Sequence, residues 1–306
     1  MNLMRRAVLG VAGTPAVERL FVRNRAARAL VDRFVAGETL DDALAVSRDL
    51  AQEGIVTTLD QLGENVSSVA EVEAAVETYR EILRRMRQAG LEANISVKLT
   101  MLGLDLGDAV ARDAMVAILG AAREVGGFVR IDMEGSAYTT RTMQLFCELH
   151  DRFPNEVGIV IQAYLRRAAA DGEAMIERRA RVRLVKGAYA EPEQIAFQSR
   201  REINANFARL MERLLESGRF PAIATHDPEL IAATMAFARR RDIAPDRYEF
   251  QMLYGVRRDE QRRLRRAGYG MRVYVPFGTQ WYPYFTRRIA ERPANALFVL
   301  RQLVDR

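Results

Sequence analysis

The chain has 306 residues, of which 49% are hydrophobic and 28% are charged, as is typical of a globular protein with a large buried core. Lysine and arginine outnumber aspartate and glutamate by 46 to 40, which gives a net charge of +6. Because the basic residues are interleaved with acids, they indicate solvated helix faces and we expect no nucleic-acid partner. The single cysteine, Cys147, excludes a disulfide framework and is typical of a reducing cytoplasm.

Residues 1–50 are expected to form a helical arm that lies as a lid or plug over one end of a domain spanning 51–306. Their first apolar run is short and continues past Pro15 into a charged helix, so it does not predict an export signal. No apolar run reaches the roughly 18 residues that a membrane span needs. We therefore expect a cytoplasmic protein, and the amphipathic start leaves open a peripheral contact with the inner face of the membrane.

Short apolar and β-branched runs alternate along the chain with helical stretches, of which 69–89 and 201–217 have clear helical periodicity. Eight strand–helix units in about 250 residues predict an α/β fold, a closed (β/α)8 (TIM-like) barrel over 51–306 with an N-terminal helical extension. An open doubly wound sheet is the alternative, but no Gly-x-Gly-x-x-Gly follows the first run. The predicted strands are 55–59, 95–99, 128–132, 157–161, 182–185, 222–225, 248–252 and 272–275.

Polar side chains end nearly every predicted strand. The carboxyl ends of barrel strands meet at one rim, where catalytic and binding groups are found. Each residue alone has an ordinary explanation: Asp132 could cap a helix, Gln162 could be a core amide and Tyr274 could simply pack. Their convergence indicates function, because burying many polar groups at one rim is costly unless a ligand or mutual pairing satisfies them.

Lys98 and Lys186 are the only lysines among the 46 basic residues, and each stands near the end of a predicted strand. Since arginine is accepted almost everywhere else, these two positions are interpreted as sites that need a compact ammonium group. The only two histidines, His150 and His226, lie far apart and no cysteine cluster accompanies them, so no metal site is predicted.

Two adjacent arginines, Arg287 and Arg288, follow an aromatic cluster that begins at Trp281, in a predicted helix after the eighth strand. Paired guanidinium groups suit an α-carboxylate, which each can bind through two hydrogen bonds. A solvated arginine pair is the alternative in a chain so rich in arginine.

Six motifs occur in order at successive predicted strand ends. They are Ser96-Val-Lys98-Leu-Thr100, Arg130-Ile-Asp132-Met-Glu134, Ile161-Gln162-Ala-Tyr164, Arg183-Leu-Val-Lys186-Gly-Ala-Tyr189, Ala224-Thr225-His226-Asp227, and Tyr274-Val-Pro-Phe-Gly278 through Arg287-Arg288. Together these motifs resemble the proline dehydrogenase family, in particular its small monofunctional bacterial members. The resemblance runs from about residue 39 to residue 306, and it is specific because all six motifs occur in this order.

The resemblance implies a distorted barrel that holds FAD noncovalently and oxidises L-proline to Δ1-pyrroline-5-carboxylate by hydride transfer to flavin N5. This is the first step of proline degradation to glutamate. A quinone is the implied electron acceptor, and a pyrroline-5-carboxylate dehydrogenase is a possible further partner.

The same resemblance implies roles for individual residues. Asp132 and Arg183 are the expected catalytic residues, although an aspartate paired with a lysine is a poor base. The substrate carboxylate is expected on Lys98, Arg287 and Arg288. The substrate ring is expected against Leu253 and Tyr274. The expected cofactor-binding residues are Met133, Gln162, Arg183, Lys186, Gly187, Ala188, Thr225 and His226.

Two other classes of function stay open on the sequence. A barrel aldolase could use Lys98 or Lys186 as a Schiff-base amine, and another FAD-dependent barrel, such as a methylenetetrahydrofolate reductase, would be reduced by NAD(P)H instead of proline. A basic binding module for nucleic acid or anionic lipid rests on the net charge alone.

Overall fold

The computed structural model describes residues 31–63 and 65–291, with side chains of the last helix described up to Thr286. Its strands are β1 (Val56–Gln61), β2 (Asn94–Val97), β3 (Phe128–Ile131), β4 (Val157–Gln162), β5 (Arg181–Val185), β6 (Ala222–Ala224), β7 (Glu249–Leu253) and β8 (Gly270–Phe277). Its helices are α1 (Leu40–Gln52), α2 (Val69–Gln88), α3 (Asp108–Val125), α4 (Ser136–Arg152), α5 (Ala168–Glu177), α6 (Arg200–Ser217), α7 (Pro228–Arg240), α8 (Arg258–Arg266) and α9 (Trp281–Glu291). A short 3-10 turn, Pro245–Arg247, precedes β7.

The eight strands form a closed barrel in chain order, and every pairing is parallel. Closure is made by β1 and β8, which pair from Val56 opposite Arg272 to Gln61 opposite Phe277. Each strand overlaps a predicted one, so the barrel prediction is confirmed and the open doubly wound sheet is wrong.

The outer helices α1, α2, α6 and α7 are amphipathic stretches that begin at a side-chain cap. Ser68 accepts a hydrogen bond from the Glu71 amide to begin α2, and Ser199 accepts one from the Glu202 amide to begin α6. The buried face of α2 repeats every three or four residues, as a helix on a sheet requires. That face consists of Val72, Ala75, Tyr79, Ile82, Leu83 and Met86.

The helix that packs outside β8 and β1 is α1, which precedes the barrel in sequence. The Ala36 amide donates to the Pro276 carbonyl, and α1 then returns along the outer wall, where Thr57 donates to Ser47. The predicted position as a lid is therefore wrong for Leu40–Gln52, which takes the place of an eighth barrel helix. Residues 1–30 of the predicted arm lie outside the described residues, and the division at residue 50 stays a prediction.

Helix α9 occupies the carboxyl end of the barrel. Trp281 and Phe285 pack with Val31 and Phe34 from the segment before α1, and with Leu62 after β1. The outer wall beside β8 is already filled by α1, so the chain after β8 folds over the rim. This arrangement places the aromatic half of α9 above the strand ends.

The interior of the barrel is charged, which the sequence interpretation of the strands as near-continuous apolar runs did not predict. Alternate residues of a strand share a face, so polar residues two positions apart project into the same interior. Several of these interior side chains are at most a few per cent exposed, namely Asp60, Ser96, Arg130, Arg183, Glu249, Gln251 and Arg272. Barrels of this kind are more commonly filled by Val, Ile and Leu.

A truncation in α1 tests whether this helix is part of the barrel wall. Leu44 is 1% exposed, so we expect Leu44→Ala to lower the free energy of unfolding by about 2–5 kcal/mol through lost burial and a cavity. Leu106→Ala is the control, because Leu106 is 39% exposed and its loss is expected to cost within about 0.5 kcal/mol. Both values come from urea unfolding. Equal effects of the two substitutions would contradict the packing role of α1.

Candidate active site

A cavity of about 460 Å³ opens at the carboxyl end of the barrel, within the range of small-molecule sites. Its walls are the ends of β2 to β8 together with one ring from α9. The lining includes Lys98, Asp132, Met133, Gln162, Arg183, Lys186, Gly187, Ala188, Thr225, His226, Leu253, Tyr274 and Tyr284. The structure thus brings together at one cavity every predicted site residue whose side chain it describes.

Lys98 is a buried residue of the cavity wall and lies between two carboxylates. Its Nζ is 2.9 Å from Asp60 Oδ1 and 4.0 Å from Asp132 Oδ2, and its side chain is 9% exposed. Burial lowers the pKa of Lys98, but attraction to Asp60 and Asp132 outweighs burial and raises the pKa above its ordinary value. Lys98 is therefore a fixed ammonium group at the wall of the cavity.

Asp132 joins three parts of the site. Its Oδ1 accepts a hydrogen bond from Arg183 Nη1 at 2.8 Å, and its Oδ2 accepts one from the Tyr274 hydroxyl, also at 2.8 Å. The Arg183 guanidinium lies over the Tyr274 ring, with Cζ 5.3 Å from the ring centroid. The resemblance placed Asp132 beside the lysine, but its closer contacts are with Arg183 and Tyr274.

Among the described residues, one nitrogen of the Arg183 guanidinium has no acceptor. Nε donates to Gln251 Oε1, and Nη1 donates to Ser96 and Asp132. Nη2 is buried and has no acceptor among the described residues. A buried donor of this kind is costly unless a ligand satisfies it.

The end of β3 is fixed by buried polar contacts behind the cavity. Gln162 Nε2 donates to the carbonyls of Met133 and Glu134, at 3.1 and 2.8 Å. The Glu134 carboxylate accepts from the amide and the hydroxyl of Thr100. These bonds hold the Met133 backbone in place, so Gln162 acts on this wall through β3.

The opposite wall is held by Asp227, which caps α7. Its carboxylate pairs with Lys186 at 2.6 Å and with Arg200 at 3.1 Å, and it also accepts from the Glu229 amide. Burial raises the pKa of Asp227, but the hydrogen bond and charge of Lys186 outweigh burial and lower it well below its ordinary value. The Asp227 charge therefore anchors the more exposed lysine of the site.

His226 and Gly187 shape the space between these walls. His226 Nε2 accepts a hydrogen bond from the Leu253 amide at 2.9 Å, so this imidazole nitrogen carries no proton. Gly187 has φ +113°, and a Cβ there would lie 2.1 Å from the Tyr164 ring. No other residue fits at 187 without moving Tyr164, so bare backbone lines the cavity at this point.

Arg287 and Arg288 lie in α9, as the sequence predicts for the helix after the eighth strand. Their side chains lie outside the described ones, so their contacts with a carboxylate stay a prediction. The preceding turns of α9 place Tyr284 at the cavity.

Sequence reasoning missed Asp60, and it found Gln251 among the strand ends without giving it a role, although both contact predicted site residues. Asp60 follows Leu59 at the end of β1, so the rule that found the other strand ends would also have found it. The sequence indicates a place for Gln251 at the site in another way, because Gln251 stands two residues before Leu253 and therefore lies on the same face of β7. Among residues 31–63 and 65–291, no group of three or more His, Cys, Asp or Glu side chains is arranged to bind a metal ion.

A model of the proline dehydrogenase family matches residues 43–301. The chain belongs to this family. It is 40% identical over 274 residues to proline dehydrogenase 1 of Bacillus subtilis, which covers 90% of each chain. It is 38% identical over 311 residues to the proline dehydrogenase of Deinococcus radiodurans, which covers 99% of this chain and 98% of the relative.

Solved structures of larger family members share the fold. Proline utilization A from Bdellovibrio bacteriovorus, inactivated by N-propargylglycine, superposes with a TM-score of 0.81 at 29% identity. The match covers 87% of this chain and 33% of that one, so the chain spans about a third of the length of the solved protein. The two relatives that match over 90% and 98% of their own length are named for proline dehydrogenase alone, which agrees with the predicted monofunctional type.

A double-mutant cycle tests the buried pair of Asp60 and Lys98. We expect Asp60→Asn and Lys98→Met each to lower the free energy of unfolding by about 3–5 kcal/mol, because each leaves a buried charge without its nearest partner. The double variant is expected to be less destabilised than the sum, by about 0.5–3 kcal/mol, since neither uncompensated charge remains. Additive losses in chemical unfolding would show that the two side chains do not interact.

Proposed function

We propose that this protein is an FAD-dependent proline dehydrogenase that oxidises L-proline to Δ1-pyrroline-5-carboxylate and passes the electrons to a quinone. Family membership supports the reaction class. The structural observation that carries the proposal is the convergence of Lys98, Arg183 and Tyr274 on Asp132 at the wall of one cavity.

The residues of the cavity fit FAD. Arg183 Nη2 is a buried donor with no acceptor among the described residues, as a hydrogen bond to an electron-accepting ring would require. The bare backbone at Gly187 allows a planar group to approach closely. The residues that would hold the cofactor line a single cavity and are Met133, Gln162, Arg183, Lys186, Gly187, Ala188, Thr225 and His226.

When bound, FAD supplies at N5 the acceptor for the hydride that leaves the substrate ring carbon next to nitrogen. Arg183 is the cation of the cavity whose free N–H would stabilise the negative charge that arrives with the hydride. We assign Asp132 the role of holding Arg183 and Tyr274, because its two oxygens already accept hydrogen bonds from them.

The substrate would be held both by its carboxylate and by its ring. Lys98 is a fixed ammonium that would bind the carboxylate, and Arg287 and Arg288 from α9 would complete that site. Tyr274 and Leu253 would pack on the ring, and both line the cavity. Anchoring the carboxylate at one end fixes the reacting carbon at the other, which is how orientation accelerates a transfer reaction.

The ion pairs that both lysines form disfavour the aldolase alternative. A Schiff base needs a neutral amine, but two carboxylates hold Lys98 as an ammonium. Lys186 is paired with Asp227 at 2.6 Å.

The cellular setting that we propose is the cytoplasm, with electrons leaving to a membrane quinone through peripheral contact. Among the described residues, none of the helices is long and apolar enough to cross a bilayer. A pyrroline-5-carboxylate dehydrogenase is the proposed partner that would consume the product. In support, a relative from Escherichia coli named as bifunctional matches 96% of this chain with only 25% of its own length.

The visible spectrum tests the proposal most simply. We expect the purified protein to be yellow, or to become so with added FAD, and we expect excess L-proline to bleach it without oxygen. NADH and NADPH are the controls and are expected to leave the colour unchanged. A protein that does not bind FAD, or one that only the nicotinamides bleach, would contradict the proposal.

Tyr274 is expected to set the preference for proline over 4-hydroxyproline. Tyr274→Ser makes room beside the substrate ring, so we expect the ratio of kcat/KM values, proline over 4-hydroxyproline, to fall by about tenfold or more. Tyr274→Phe is the matched control, because it keeps the ring and removes only the hydrogen bond to Asp132. If the ratio stays the same in Tyr274→Ser, Tyr274 does not pack against the substrate ring.

A further inference from the structure

A chain of hydrogen-bonded side chains runs from the cavity through the barrel interior towards the opposite end. Arg183 Nε donates to Gln251 Oε1 at 2.5 Å, and Gln251 Nε2 donates to Glu249 Oε1 at 2.5 Å. Arg272 Nε donates to both oxygens of Glu249, at 3.0 and 3.2 Å. These four side chains are each 3–4% exposed, so water does not compete for their bonds.

The far end of this chain is anchored to the barrel wall. Arg272 Nη1 donates to the Thr57 carbonyl and Nη2 donates to Glu92, both at 2.8 Å. Every nitrogen of Arg272 therefore has an acceptor, which fixes its guanidinium. Burial raises the pKa of Glu249, but the adjacent Arg272 outweighs burial and lowers it, so Glu249 is a carboxylate.

The carboxylate determines which way the Gln251 amide points. An ionised carboxylate only accepts hydrogen bonds, so Gln251 must turn its NH2 group towards Glu249. The amide oxygen then faces the other way, towards Arg183. An amide with the opposite orientation would place NH2 against the guanidinium and leave Glu249 without this donor. Gln251 therefore links the Glu249–Arg272 ion pair to Arg183, and its amide can do so in only one orientation.

The hydrogen bond from Arg183 to Gln251 also restricts the Arg183 side chain. Bonds to Gln251 at Nε and to Asp132 and Ser96 at Nη1 lie on two sides of the planar guanidinium. Together they fix both its position and its rotation, and they leave Nη2 as the remaining donor. A neutral amide does this without adding a second negative charge beside Arg183, which would weaken its attraction for negative charge in the cavity.

We propose that Gln251, locked by Glu249 and Arg272, is a positioning residue that orients Arg183 towards the electron-accepting end of the cofactor. This inference rests on the proposed function for the identity of the cofactor. It does not rest on that function for the geometry of Arg183, which the barrel interior imposes in any case.

The first test compares the protein with Gln251→Leu, which keeps the volume and removes the amide. We expect the midpoint potential of the bound flavin, measured with reference dyes, to become more negative, because Arg183 is no longer held in place to stabilise the reduced ring. The rate constant for anaerobic reduction by L-proline is expected to fall about tenfold or more. The dissociation constant for proline is expected to change by less than about threefold, since Lys98 is untouched.

Asn206→Leu is the matched control, because Asn206 is another buried amide, 7% exposed, that bonds the Ala163 carbonyl and Arg209 outside this chain of side chains. It is expected to lower stability without shifting the potential. If Gln251→Leu shifts the potential and the reduction rate no more than Asn206→Leu does, Gln251 is only structural and the proposal is overturned.

A second variant keeps the proposal testable if Gln251→Leu does not fold. Glu249→Gln keeps the shape of the side chain and removes the carboxylate that sets the orientation of the Gln251 amide. We expect it to lower the midpoint potential and the reduction rate in the same direction as Gln251→Leu. A Glu249→Gln protein with the potential and the reduction rate of the unchanged protein would overturn the proposal.

A crystal structure of the same variant separates this inference from the proposed function. We expect the guanidinium of Arg183 in Gln251→Leu, or in Glu249→Gln should the former not fold, to leave its contacts with Ser96 and Asp132. This result does not depend on proline or on flavin, so it stands even if the wild-type protein is not reduced by proline. An unmoved guanidinium would overturn the positioning role.

Discussion

The site depends on one constraint, that charges buried in a barrel interior must find partners within the protein. Asp132 meets this constraint for two neighbours at once, by accepting from Arg183 and from the Tyr274 hydroxyl. Lys98 is held mainly by Asp60, with Asp132 at 4.0 Å. Removing the charged side chain of Asp60, Lys98, Asp132 or Arg183 would leave another charge buried without its nearest partner, at a cost of several kcal/mol.

The same constraint explains how a rigid site can still offer a hydrogen-bond donor from the Arg183 guanidinium. Arg183 uses Nε and Nη1 inside the protein, while its Nη2 has no acceptor in the part of the chain that the structure describes. A surface arginine could turn to bind water, but the bonds to Gln251 and Asp132 prevent Arg183 from doing so. The buried network therefore costs folding stability, but it holds the Arg183 Nη2 donor in one orientation, as is common at functional sites.

Much of the fold followed from the sequence, because parallel strands and their crossover helices leave a strong alternating pattern. The strand ends gave most of the site for the same reason, since the topology forces them to one rim. The place of α1 did not follow, because amphipathicity shows that Ala43 and Leu44 are buried but not against which surface. The charged interior was also missed, since Glu249 and Arg272 sit within otherwise apolar strands and pair across the barrel.

The central claim is that Arg183 and Lys98 bind two different groups on either side of one reacting bond. It is tested most directly by a crystal structure of the protein with FAD and a saturated five-membered ring carboxylate that lacks the oxidisable amine. The account predicts Arg183 Nη2 within hydrogen-bond distance of the flavin ring and the carboxylate on Lys98 and the arginines of α9. A flavin bound away from Arg183, or a carboxylate that does not contact Lys98, would contradict it.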